Sequence, residues 1–466
     1  LVTEGAAQLR VLFDASRLVT RGGAAATGID RVDLAYARAL AASPDIDFRM
    51  LVFDLLGPRL LSRQSAAALL DATVQRWQSE ADNYVSQRAF EQIVEWLNAA
   101  PGAPRPSLPQ PPARLRHTSP FNKARKALET LLHSTFLRRV PNGLPKSNRL
   151  KEAAAIPTVY LNTSHGRLYR KSVLRWLDKT RIPAVFFVHD LIPIEYPQFN
   201  RPREPARHAA RLATISRYAT HVLVNSEVTR ESLAQYLCAR RMRTPPVSVL
   251  PLGVDQRFRN TIMAPEISTP YFVMLSTIEP RKNHYLLLRI WQKWIAAEGH
   301  SAPRWVILGR RGWQNETVFA LLDETGSLNT HVLECGALSD AQVGSLMRGA
   351  RALLSPSFAE GFGLPVAEAL AAGTPVIVSD IAAHREVGGD FAEYLDPDDE
   401  SGWLQILREY AHQSSARREA RVAALEDYRS PQWQDHLSRA IDVLSASATQ
   451  APQYPICGGI VKLAGS

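Results

Sequence analysis

A chain of 466 residues exceeds what one ordinary hydrophobic core serves, so two domains of roughly 200 residues each are expected. Its 45% hydrophobic and 21% charged residues exclude a disordered polyelectrolyte, and no apolar run reaches the length that spans a bilayer. The formal net charge of +10 is local: eleven Lys/Arg and one acid, Glu129, fall between Pro101 and Lys151, leaving 44 basic against 44 acidic residues elsewhere.

The first residues, LVTEGAAQLRVLFDASR, have no basic region followed by an apolar core, so no signal peptide is expected. Three scattered cysteines, Cys238, Cys335 and Cys457, argue against a disulfide framework or a Cys-based metal site and fit a reducing compartment. Leu9–Asp14 reads as a first buried strand, 21–29 (RGGAAATGI) as a glycine-rich loop and 30–42 as an amphipathic helix. Strand, glycine loop and helix make the first unit of a doubly wound sheet, although the glycine spacing does not match a dinucleotide fingerprint. A strand follows at 48–54, and 55–100 reads as helical.

Six prolines in 101–112 forbid regular helix or central strand, so this stretch is a linker or a surface excursion. The basic stretch 121–140 fits a helix with Phe121, Leu128, Leu131, Leu132 and Phe136 on one face. It packs on its own domain with a solvated basic edge, or it offers a patch to an anionic membrane or lipid-phosphate acceptor. Without interleaved aromatics it argues against nucleic acid. Alternation resumes with strands at Thr158–Asn162, 184–189, 221–225 and 247–250. Helices fall at 203–218 and at 226–240, where Ser226 is the N-cap. The stretch 261–270 reads as an interdomain linker. The second half repeats the pattern from 271 and ends in a helix at 431–444.

Within that half, 350–380 (ARALLSPSFAEGFGLPVAEALAAGTPVIVSD) joins a short buried strand, a glycine loop, a short helix and a second strand. Pro365 sits where a helix starts and Gly373 where one stops. Glu360 stands at the strand mouth. Glu368 is expected in the first turn or so of the helix, where the helix dipole favours its ionised form. Loop amides and a helix N-terminus suit a phosphate.

These motifs, in order with IEPRKNH at 278–284 and PLGVD at 251–255, resemble the retaining GT-B glycosyltransferases of family GT4, over roughly 9–100 and 158–444. The resemblance implies an α/β GT-B fold, two Rossmann-like doubly wound domains facing a central cleft. Residues 1–260 would form the first domain, with a Pro-rich basic insertion at 101–151, and 261–430 the nucleotide-sugar domain. A helix at 431–446 would cross back, and 447–466 would be a tail. It also implies roles. Lys282, with Arg281 beside it, would hold the donor diphosphate. The family's usual arginine at the strand end is replaced near Ser276 and Thr277, so Arg281 or Arg310 would supply the second cation. Glu360 would lie by the donor sugar and Glu368 would hold the ribose. Gly361, Phe362, Gly363 and Leu364 would offer amides to phosphate and sugar, and Gly336 to Leu338 would edge the base. From the first domain, Gly28 would admit the diphosphate and His189 would contact donor sugar or acceptor.

The catalytic set is thus Glu360, His189 and Lys282, with no cofactor and no metal. The wording of the motifs is most similar to mannosyl- or rhamnosyltransferases of O-antigen assembly and points to a GDP-sugar. The expected partners are a nucleotide sugar and an oligosaccharide or lipid-linked acceptor, with the protein in the cytoplasm or at the inner membrane face. A sugar phosphorylase or a nucleotide-sugar hydrolase or epimerase is the second reading. A catalytically silent sugar- or polyanion-binding protein is the third.

Overall fold

The computed structural model describes residues 9–21, 27–54, 57–81, 84–108, 156–170, 172–259, 264 and 266–451. Two sheets organise them. The first runs β3-β2-β1-β4-β5-β6-β7, built from β1 (Leu9–Asp14), β2 (Ile46–Asp54), β3 (Gly57–Leu60), β4 (Thr158–Asn162), β5 (Ala184–Val188), β6 (Ala219–Val224) and β7 (Val247–Val249). The second runs β10-β9-β8-β11-β12-β13, built from β8 (Tyr271–Leu275), β9 (Arg304–Leu308), β10 (Val332–Cys335), β11 (Leu353–Ser355), β12 (Val376–Ser379) and β13 (Ala392–Leu395). All pairings are parallel except β2 with β3. Central strands such as AVFFV of β5 and RWVIL of β9 are buried along their whole length, because helices cover both faces of each sheet. Two doubly wound sheets, each with its order reversing beside its first strand, make the GT-B architecture.

The stretch expected to be helical over 55–100 holds a strand as well. Gly57–Leu60 pairs antiparallel with β2, and Pro58 is accommodated because the strand lies at the sheet edge. Helices Arg63–Ala81 and Tyr84–Asn98 follow. The second helix and the proline strap after it lie against the other sheet's domain. Arg304, at the start of β9, stacks over Trp96 at 4.8 Å and donates to the carbonyls of Trp96 and Ala100, the latter at 3.0 Å. Arg105 N–H donates to Asn329 O at 2.8 Å, and its guanidinium to Val332 O at 3.2 Å. Of the Pro-rich and basic insertion, residues 109–155 lie outside the described residues, as do 452–466 of the tail.

The helix Trp433–Ala448 returns to the first sheet. His436 Nδ1–H donates to Pro251 O at 2.9 Å, and its Nε2 accepts from Tyr36 O–H at 2.8 Å. Val254 N–H donates to Pro431 O at 3.0 Å. Gly253 is required here, since any Cβ would collide with the Trp433 backbone.

Candidate functional site

The second sheet reverses its order between β8 and β11, and loops from those two strands bring the predicted donor residues together. After β8, a turn of 3₁₀ helix at Pro280–Lys282 presents Arg281 and Lys282. After β11, the loop runs through Glu360 to Gly363. Arg281 Nη1 donates to Glu360 Oε2 and to Ala359 O, both at 2.8 Å, and the Lys282 ammonium bonds Glu360 Oε1. Glu279 holds the other edge of the Arg281 guanidinium, Nε to Oε1 at 2.7 Å. Two acids and two bases thus form one largely buried quartet. Burial opposes charge on Glu360, but Arg281 and then Lys282 outweigh it and hold the carboxyl well below the usual range. Burial and Arg281 lower the Lys282 ammonium, against Glu360 and Glu279. Arg281 stays charged, since its two carboxylates overcome desolvation.

Gly363 closes the loop at φ +90°, a conformation that favours glycine, and caps the helix Leu364–Ala371 with Pro365 in its first turn. Phe362 is buried in the core, and Leu364 begins the helix. Gly373 at φ +76° follows its end. Glu368 falls just past the first turn, because the helix begins at Leu364, one residue before Pro365, and the first turn carries no acid. Its ionisation is disfavoured rather than favoured: burial raises the carboxyl to about 8, with Arg31 opposing and Asp340 and Asp255 adding to the rise. Arg31 comes from the first domain. Its Nη1 stands 3.6 Å from Glu368 Oε1, and its Nη2 is 2.5 Å from Asp340 Oδ1. Asp340 also pairs with Arg257 at 3.2 Å.

His189 follows β5 and faces the second domain's loop through its backbone. A Cβ on Gly361 would stand 2.5 Å from His189 O. The imidazole is buried and bonds Thr163 O at 2.7 Å, which makes Nε2 the protonated nitrogen of a neutral ring. Burial lowers its basicity, against the Thr163 carbonyl and Asp190. His165 packs edge-on against both His189, at 5.3 Å between centroids, and His208, at 5.7 Å. Asp33 accepts from Thr163 Oγ1 at 2.6 Å, and burial raises its carboxyl to about 8.

Gly28 was expected in a loop and is instead the first residue of the helix Gly28–Ala42. Thr27 and Asp30 form a capping box that starts the helix earlier than 30. A Cβ at Gly28 would meet nothing within 4 Å, so space for the chain does not demand glycine there. Gly336 follows β10, where Arg310 Nε donates to its carbonyl at 2.9 Å. Leu338 packs partly buried against the core. Sequence reasoning missed Glu279, Arg31, Asp340, His165 and His208. Glu279 stands inside IEPRKNH and could have been found there, whereas the others acquire partners only through long-range packing. Among the described residues no group of His, Cys, Asp or Glu is arranged to hold a metal, and no helix is long and apolar enough to cross a membrane.

Comparison with known proteins agrees with this geometry. Residues 262–424 match the family model described as glycosyl transferases group 1, and residues 93–258 match that of glycosyltransferase family 4. The serotype-specific mannosyltransferase WbdA of Escherichia coli is 26% identical over 255 residues, 50% of this chain and 31% of the relative. The O-antigen chain mannosyltransferase B of the same organism is 30% identical over 172 residues, 37% of this chain and 45% of the relative. The O-antigen chain mannosyltransferase RfbU of Salmonella typhimurium is 27% identical over 221 residues, 47% and 59%. The aligned region therefore spans less than two thirds of each of these relatives. In fold, the chain is similar to the Anabaena protein Alr3699/HepE in complex with UDP-glucose, at TM-score 0.56 and 14% identity over 94% of this chain and 99% of that one. The sucrose-phosphate synthase of Thermosynechococcus elongatus gives TM-score 0.53 and 14% identity over 93% and 98%. With a glycosyltransferase match in each half and two doubly wound sheets meeting at the matched motifs, the chain belongs to the GT4-like glycosyltransferases of GT-B fold.

Proposed function

We propose that the protein is a retaining, metal-independent hexosyltransferase. It moves mannose or rhamnose from a nucleotide sugar, with GDP the first candidate nucleotide, to a glycan or lipid-linked acceptor in surface polysaccharide assembly. The observation that carries this is the Glu360 carboxylate held between Arg281 and Lys282 at the reversal point of the second sheet. Breaking a sugar–phosphate bond builds negative charge on the leaving phosphate, and two fixed, buried cations there stabilise it without a divalent metal. A phosphate that takes over these cations releases Glu360 toward the sugar hydroxyls and the cationic anomeric centre. Glu368 accepts from the ribose hydroxyls, and the neutral His189 beside Asp190 serves the sugar or acceptor from the first domain. Retention follows a front-face path in which the leaving phosphate oxygen accepts the acceptor's proton.

The mannosyltransferase names of the relatives favour a mannosyl donor. The Anabaena neighbour is seen with UDP-glucose, so UDP-hexoses form the second donor class. The reading includes peripheral contact of the basic segment 101–151 with an anionic membrane at the cytoplasmic face. The deciding experiment is a thermal-shift panel of nucleotide sugars followed by transfer assays in excess EDTA, with the product's anomeric configuration read by NMR. Transfer with retained configuration in EDTA supports the reading. Nucleotide-sugar cleavage that no glycan acceptor alters, or activity abolished by EDTA and restored by Mn²⁺, contradicts it.

A further inference from the structure

The two domains meet at the N-terminus of the Glu227–Ala239 helix, and each sends a group into the other. Ser226 caps that helix from within, its Oγ accepting from Thr229 N–H at 3.1 Å. The same hydroxyl donates across the cleft to Gly361 O at 2.6 Å, and Thr229 Oγ1 lies 3.3 Å from that oxygen. Gly361 is the residue after Glu360. Its other side is pressed on the first domain so closely that a Cβ would stand 2.5 Å from His189 O and 2.9 Å from Asp190 Cβ. In the opposite direction, the Glu386 carboxylate accepts from Glu227 N–H at 2.6 Å and Val228 N–H at 3.2 Å. These are the helix's first free amides, where the partial positive charge suits an anion. Glu386 rides on the helix Ala382–Gly388, whose His384 ring lies 3.3 Å from where a Cβ on Gly363 would be. The end of the loop that follows Glu360 is therefore held directly by one helix N-terminus of the opposite domain, and the Ala382–Gly388 helix that backs it is held by the same N-terminus.

We propose that Ser226 and Glu386 are positioning residues that clasp the Glu360 loop against the His189–Asp190 corner and so set where the carboxylate meets the sugar. Glu386 is exposed and its bonds join the two domains, so its contribution falls on their apposition and not on the stability of either core. Ser226 is fully buried, and its hydroxyl serves both the cap and the clasp, which makes the conservative threonine variant informative.

The kinetic arm of the test rests on the proposed hexosyl transfer, and the exchange arm does not. The full chain and its Glu386→Ala, Ser226→Ala and Ser226→Thr variants are compared by amide hydrogen exchange over 356–363, by calorimetric titration with GDP and UDP, and by transfer kinetics. Expected is exchange over 356–363 at least about fivefold faster in both alanine variants, nucleoside diphosphate affinity within about twofold of wild type, and kcat about tenfold lower. Ser226→Thr restores kcat to within about threefold. Unchanged exchange over 356–363 in both alanine variants overturns the clasp, as does a kcat loss matched by an equal loss of diphosphate affinity. If the wild-type chain transfers no sugar from any donor, the proposed function falls while the exchange measurement still decides the clasp.

Discussion

At the scale of single residues, the proposed donor site is self-neutralised. Glu360 pairs with Arg281 and Lys282, the two cations proposed to hold the diphosphate, so on that reading binding exchanges one anion for another. Glu360→Gln keeps the shape and removes the competitor. We expect this variant to bind a nucleoside diphosphate about tenfold tighter, roughly 1.4 kcal/mol, while transfer falls by about two to three orders of magnitude. Calorimetric titration and turnover, run on the same preparation, read the two effects; equal losses in both would mean that the carboxylate merely builds the pocket. Glu368 adds a pH dependence. Its carboxyl is raised to about 8, and the ribose hydroxyls it is proposed to hold bind best to the ionised form. Nucleotide affinity should therefore climb from pH 6.5 to 8.5 and flatten in Glu368→Gln; a wild-type titration that is flat over this range would contradict the assignment. Lys282, and Glu360 with Glu368, could be singled out from sequence because each lies in a short local motif, 278–284 and 350–380. Arg31 could not, since an arginine on the first turn of an amphipathic helix reads as solvated until the fold brings Asp340 and Glu368 against it.

At the scale of elements, strands buried on both faces were the easiest to read, because a parallel sheet writes itself as short unbroken apolar runs. Leu9–Asp14, Thr158–Asn162 and the β11 to β12 unit needed nothing more. The Gly57–Leu60 strand was hidden because GPRL, with Pro58 in it, carries no alternation, and its pairing is decided by the free edge of β2. The docking of Tyr84–Asn98 and the strap to 108 on the second domain was hidden for a different reason. An amphipathic helix states which face it buries, not which partner it buries against. Arg304 is the test of that docking: it is buried, it stacks on Trp96, and it donates to two carbonyls that end the helix. Arg304→Ala leaves those acceptors unpaired and should cost about 2–4 kcal/mol locally. Faster hydrogen exchange over 84–108, with the first sheet's central strands unchanged, is the expected signature. Equal protection in wild type and variant would show that the apolar face holds the arm alone.

At the scale of the whole molecule, the described ionisable groups set a pH window for stability. Asp33 and Glu368 are buried carboxyls whose folded-state values are raised to about 8 from ordinary values of 3.8 and 4.5. A raised acid gives stability that is fully present below its unfolded value and lost as pH climbs through the folded one, up to about 1.4 kcal/mol per pH unit between the two. Glu393 works the other way. Arg417 and Arg421 hold it at about 2 against burial, so its contribution is present above 4.5 and disappears as pH falls toward 2. Asp47, lowered by Arg10, Arg63 and Arg49 against burial, moves with it. Alone these two sets turn over near pH 4; the buried histidines His189 and His436, held at about 4 by burial, lose their contribution as pH falls below 6.5 and so move the maximum to about pH 5–6, with the alkaline side governed by one buried carboxyl in each domain. Thermal unfolding followed from pH 4 to 9 should therefore show a midpoint that falls by several degrees between pH 6 and 8.5, and Asp33→Asn should lessen that fall. A midpoint that keeps rising to pH 8.5 would mean that both carboxyls are already ionised in the folded chain. The same result would remove the basis for expecting nucleotide affinity to climb over that range, because a Glu368 ionised at pH 6 has no proton left to lose when the ribose arrives.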